Sequence, residues 1–159
     1  MTYGIEVVAA PDPGIRSIIL DGLRDFNRTV LAPGLQIEDL AVAIRHEAGA
    51  VIGGLWGRTG WEWLTIELIF VPESLRGQGI ASRLIGLAEE EALRRGCHSA
   101  WLDTLNPGAL TLYERLGYVR FGELKDFPVG GSRYFLQKRL KDEDQDRARH
   151  SSARTAHRS

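Results

Sequence analysis

A run rich in apolar and β-branched residues, WLTIELIFV at 63 to 71, leads into a glycine loop and then a helical pattern, LRGQGIASRLIGLAEEEALRRG at 75 to 96. Few architectures accommodate that succession. A strand must stop at a short turn carrying Gly77 and Gly79, and a helix must start at once. The helix predicted here has Ile80, Ala81, Leu84, Ile85, Ala88 and Ala92 as its apolar stripe. Glu90/Arg94 and Glu91/Arg95 are expected as i,i+4 pairs on its outer face, and Gly96 ends it in the left-handed cap position.

The remaining elements follow from local signals. Residues 4 to 9 (GIEVVA) fit a short strand. Residues 13 to 30 carry Ile15, Ile18, Ile19, Leu23 and Phe26 at helical spacing, with Asp12-Pro13 as cap and first turn. Residues 39 to 46, 50 to 57 and 63 to 71 read as three strands of a meander, its turns at Glu47-Ala48-Gly49 and Thr59-Gly60. After the central helix come a strand at 98 to 104, then a short helix opened by Asn106-Pro107 and closed at Gly117. Strands at 118 to 125 and 132 to 139 complete the order. The class is mixed α/β (α+β), one sheet interrupted by helices.

A chain of 159 residues has the length of one domain. We expect that domain at residues 1–140, followed by a polar, disordered tail at 141–159, KDEDQDRARHSSARTAHRS, which has no large apolar residue to offset its ordering entropy. The 20 basic and 21 acidic residues nearly cancel, so neither nucleic acid nor an anionic membrane is an expected partner. One cysteine, Cys97, excludes an internal disulfide and reads as a small buried hydrophobe. No secretion signal or long apolar span is evident, and a cytoplasmic location is expected. The four histidines show no ligand spacing, so no metal is expected.

A strand, a glycine turn and a helix N-terminus together favour an anion. The first N–H groups of a helix lack partners within it, the dipole is positive there, and glycine lets the backbone approach. Arg76 adds a charge. A plain tight turn would use the same residues. No Walker string, Gly-x4-Gly-Lys-Ser/Thr, occurs. The Rossmann fingerprint is approached by Gly77-x-Gly79-x-x-Ser82, with Asp103 where a ribose-binding acid would stand. That loop, however, follows a meander, and too little chain remains after Asp103 for a second mononucleotide half.

VPESLRGQGIASRL resembles the coenzyme A-binding motif of the GNAT superfamily of N-acetyltransferases, Gln/Arg-x-x-Gly-x-Gly/Ala, with Arg76, Gly79 and Ala81 in its defined places. NPGALTLYERLGYV resembles the family's other recurring segment, through Asn106, Ala109, Tyr113, Gly117 and Tyr118. The resemblance covers roughly residues 4 to 140. It implies the GNAT acyl-CoA N-acyltransferase fold: a central, mostly antiparallel sheet, splayed between its fourth and fifth strands and flanked by helices.

It also implies transfer of an acetyl group from acetyl-CoA to a primary amine by direct attack in a ternary complex. The backbone of Gly77, Gln78, Gly79, Ile80, Ala81 and Ser82 would wrap the pyrophosphate, beside Arg76, and Asn106 would touch the cofactor. The main chain of Ile69, Phe70 and Val71 would hold the pantetheine arm, on a strand that carries a bulge in this family. Tyr113 occupies the position of the acid that protonates the leaving sulfur, although Ala109, Leu112, Tyr113 and Leu116 also form an apolar stripe. Glu67, expected on one strand face with Thr65, Ile69 and Val71 among apolar neighbours, is the candidate base, with Asp103 or a water as alternatives.

The acceptor side is thinner. Asp25, Phe26, Asn27, Trp56, Trp61, Trp63 and residues 123 to 135 are candidates for its wall, and a small molecule or a peptide amine fits equally. Homodimers are common in the family. A coenzyme A-binding sensor without turnover, or a nicotinamide-binding protein, are the competing functions.

Overall fold

In the computed structural model, residues 2–31 and 36–141 are described, and the chain divides into two compact units, one through Leu35 and one from Gln36. The expected tail at 141–159 lies outside the described residues from 142 onward.

The first unit holds α1 (Pro13–Val30). Asp12 caps it by accepting from the Gly14 N–H at 2.6 Å, with proline at the first helical position, as the sequence predicts. Residues 4–9 form no strand. A strand exists through its ladder, and no described strand pairs with this segment; its propensity alone cannot create one.

The second unit is built on a sheet of order β1-β2-β3-β4-β6-β5. Its strands are β1 (Glu38–Arg45), β2 (Val51–Gly60), β3 (Trp63–Phe70), β4 (Ser99–Thr104), β5 (Val119–Lys125) and β6 (Ser132–Arg139). Every neighbouring pair is antiparallel except β3–β4, which the helix α2 (Ile80–Arg94) connects as a parallel pair. The short helix α3 (Pro107–Arg115) follows β4.

The β1–β2 turn falls at residues 46–50, with Gly49 at φ 88°. The β2–β3 turn differs from expectation. Gly60 still belongs to β2, paired with Trp63, and the loop is Trp61-Glu62 with φ of 51° and 61°. Two consecutive positive φ values define the tight hairpin that matches the twist of the flanking strands.

Leu84, Ile85, Ala88 and Ala92 of α2 pack with Leu64, Ile66, Ala100, Leu102 and Leu136 of the sheet, all nearly inaccessible to solvent. Glu91 pairs with Arg95 at 2.7 Å, as expected, though partly buried rather than on the outer face, and Arg94 joins Glu91 rather than Glu90. Arg95 is drawn further, to the Asp39 carbonyl and the Thr59 hydroxyl, and so ties α2 to β1 and β2.

Both α2 and α3 end the same way. Gly96 and Gly117 take φ of 88° and 92°, and the next N–H reaches back five residues: Cys97 to the Ala92 carbonyl, Tyr118 to the Tyr113 carbonyl. In α3 this closure sets the Tyr118 ring edge-on to Tyr113, centroids 6.3 Å apart. Tyr118 donates to Glu89 at 2.9 Å, and Lys138 meets the same carboxylate at 2.8 Å, so α2, β6 and the end of α3 share one partly buried polar knot.

Candidate active site

β3 and β4 pair only from Trp63↔Ser99 to Ile66↔Leu102. Beyond that, residues 68–70 pair with β2 alone and residues 103–104 with β6 alone. This is the splay expected between the fourth and fifth strands, here β3 and β4 because the 4–9 strand is not formed.

The bend originates in β3. Trp56 faces Leu68 while Gly57 faces Ile66, so Glu67 is an extra residue without a partner on β2, a β-bulge. Gly57 permits it, since a Cβ there would run into the Thr65 carbonyl. The bulge also overturns the expected strand face. Ile69 stands opposite Leu55 and Ile66 opposite Gly57; Leu55 and Gly57 share a face, so Ile69 joins Ile66 toward the core and parts from Thr65. One inserted residue reverses the alternation beyond it.

Between the separated strands lies a cleft of about 370 Å³, to which Glu67, Ile69, Asp103, Asn106, Tyr113 and Arg133 contribute. Tyr113 reaches it from α3. Burial, and secondarily the Asp103 carboxylate, push its phenol up from the ordinary tyrosine value, so it keeps its proton. Its hydroxyl takes no hydrogen-bond partner among the described residues. Asn106 caps α3, its Oδ1 accepting from Gly108 at 2.8 Å and Ala109 at 3.4 Å.

Glu67 is not set among apolar neighbours as expected: its Oε1 lies 3.0 Å from Arg58 Nε. Asp103 is likewise engaged, its Oδ2 accepting from Arg133 Nε at 2.6 Å. Arg58 is not legible as a site residue in the sequence, and Arg133 only as part of the stretch 123–135, because each meets its carboxylate across a ladder rather than along the chain. Leu102 and Asp103 alternate across β4, so Tyr113 and Leu102 line the cleft on the helix side, with Asp103 and Arg133 on the other.

At the end of β3 the glycine loop takes the form the sequence predicts. Gly77 and Gly79 have φ of 74° and 73°, and beyond the adjoining residues a Cβ on either would meet open space. α2 begins without a side-chain cap, leaving its first N–H groups, at Ile80, Ala81 and Ser82, to another acceptor. Arg76 Nε donates to the Val71 carbonyl at 3.1 Å and Gln78 to the Ser74 carbonyl at 3.2 Å, which holds the loop against the strand end. An anion fits this open, donor-lined turn.

The tryptophans expected at the acceptor wall are not among the residues lining this cleft. Trp56 and Trp61 are exposed, and Trp63 lines a separate apolar hollow with Trp101, Phe121 and Phe135. Asp25, Phe26 and Asn27 belong to α1 in the first unit. Of residues 123–135, Arg133 reaches the cleft.

One parallel pair in an otherwise antiparallel sheet excludes the doubly wound Rossmann arrangement. The sequence pattern of the acetyltransferase (GNAT) family matches residues 21–118.

The chain belongs to the GNAT family.

GNAT proteins similar to it include the acetyltransferase Atu2258 of Agrobacterium fabrum, 50% identical over 102 residues, covering 64% of this chain and 74% of that one. Blasticidin-S acetyltransferase of Streptomyces morookaense is 34% identical over 119 residues, 74% of this chain and 88% of the relative. A crystal structure of an Agrobacterium tumefaciens acetyltransferase superposes with a TM-score of 0.79 at 42% identity, over 87% of this chain and 99% of that one. The protein is thus an acetyl-transferring GNAT enzyme of mixed α/β fold. Among the described residues no helix is long and apolar enough to cross a membrane.

Proposed function

We propose that this GNAT enzyme moves the acetyl group of acetyl-CoA to a primary amine of a small molecule or peptide, by direct attack in a ternary complex. The parting of β3 and β4 at the Glu67 bulge carries this reading, because it opens a cleft that Tyr113 and Glu67 both line.

The N–H groups from Gly77 to Ser82, with Arg76, would hold the pyrophosphate. The main chain of Ile69, Phe70 and Val71, unpaired on its β4 side, would hold the pantetheine arm, and Asn106 lines the same cleft. Acetyl-CoA supplies an activated acyl group with a thiolate as leaving group. Glu67, directly or through a water, accepts the proton that makes the acceptor nitrogen nucleophilic. Tyr113 holds a proton at its phenol oxygen for the departing sulfur, and its raised pKa keeps that proton in place at neutral pH. Blasticidin-S acetyltransferase, whose name gives its acceptor, favours a small-molecule amine.

Calorimetric titration with acetyl-CoA, with NAD and NADP in parallel, tests the ligand. Heat with acetyl-CoA alone is expected, followed by thiol release when an amine panel is added. Silence toward acetyl-CoA would overturn the reading.

A further inference from the structure

Arg133 is the feature of the cleft that acetyl transfer by Tyr113 and Glu67 leaves unexplained. It stands on β6, beyond β4, away from the glycine loop at the end of β3. Its side chain is only 34% exposed. Three groups fix it: Asp103 at 2.6 Å on Nε, the Phe127 ring 5.3 Å from the guanidinium carbon, and the Phe135 ring at 5.6 Å. An arginine has five N–H donors, and Asp103 engages one. The other four have no protein partner among the described residues, although the side chain lines the cleft.

Holding a guanidinium in place removes most of the entropy cost of using it, so such a group is preorganised for a planar anion. The charge count argues against a polycation. Glu67 and Asp103 are each matched by an arginine, so the cleft holds no uncompensated negative charge to select a polycation. A dianion would meet both carboxylates at close quarters. A monoanion able to take two parallel N–H groups on the part of the guanidinium that Asp103 leaves open meets less of that repulsion than a dianion.

We infer that the acceptor carries a carboxylate near its reactive amine, and that Arg133 binds it: the substrate class is that of amino acids and amino-acid-like compounds. The inference rests on the acetyltransferase reading and narrows its acceptor.

The test uses the whole protein with saturating acetyl-CoA and matched pairs of acceptors, free amino acids and their carboxamides, followed by thiol release. The wild type is expected to favour the acid over its amide by about tenfold or more in kcat/KM, the scale of a charge-assisted contact. Arg133→Gln is expected to bring acid and amide to the same kcat/KM, with the loss falling in KM for the acid. Arg133→Lys keeps a charge without the planar fork and should retain part of the preference. Should Arg133→Gln fail to fold, the wild-type ratio and the lysine variant still decide. Equal use of acids and amides by a wild type that binds acetyl-CoA defeats this inference alone. Failure to bind acetyl-CoA defeats the functional reading beneath it.

Discussion

Glu67 is both the inserted residue of the β3 bulge and the ion-pair partner of Arg58, Oε1 to Nε at 3.0 Å. The irregularity that opens the sheet therefore also delivers the only acid of β3 to the cleft, and the arginine fixes its direction. Glu67→Gln keeps the shape and removes the proton acceptor. A fall in kcat of about a hundredfold or more is expected for a general base. A loss under about tenfold, measured by thiol release, would assign the proton to a water chain instead.

Tyr113 is expected to act through its hydroxyl alone. Tyr113→Phe should lower kcat by about a hundredfold and leave acetyl-CoA affinity, read by calorimetry, within about threefold. Because burial raises the phenol pKa, folding favours the neutral form. That contribution is complete below about pH 10, the unfolded value, and is lost as pH rises through the folded one. Thermal melts between about pH 9 and pH 11 should show the wild type losing stability faster than Tyr113→Phe. Parallel curves would count against a buried, protonated phenol.

Gly57 should tolerate nothing larger. Its Cβ would overlap the Thr65 carbonyl beside the bulge, so Gly57→Ala is expected to cost about 1–3 kcal/mol in urea unfolding and to weaken acetyl-CoA binding. Gly86 lies within α2 and has open space where a Cβ would go; Gly86→Ala should add about 0.5–1 kcal/mol. The same sign for both would contradict the steric account.

The hairpin at Trp61-Glu62 carries two side chains in the left-handed region. Asn-Gly at these positions suits the turn without that strain, and a gain of about 1 kcal/mol is expected. For a protein of this size that is a rise of about 2–4 °C in Tm. An unchanged or lowered Tm would mean that Trp61 repays its backbone strain through packing.

Much of α2 and α3 was legible in the sequence. Asn106-Pro107, Gly96 and Gly117 act on backbone groups within a few residues of themselves, so each helix boundary could be read locally. The glycine loop was legible for the same reason. GIEVVA has the propensity of a strand, but propensity without a partner makes none. Thr59-Gly60 has the composition of a turn, yet register sets Gly60 opposite Trp63 and the hairpin two residues later. Strict alternation groups Glu67 with Thr65 and Ile69 and cannot anticipate that an inserted residue parts Ile69 from Thr65.

The sequence by itself determined the helices, their caps and the anion-ready turn, since hydrogen bonds and dipoles over a few residues suffice for them. Where β3 and β4 part, and which arginine meets which carboxylate, only the tertiary structure decided. Asp103 and Arg133 are 30 residues apart in the chain and meet because β6 inserts between β4 and β5. Such contacts depend on strand order and register, which are set by the packing of the whole sheet rather than by any segment of it.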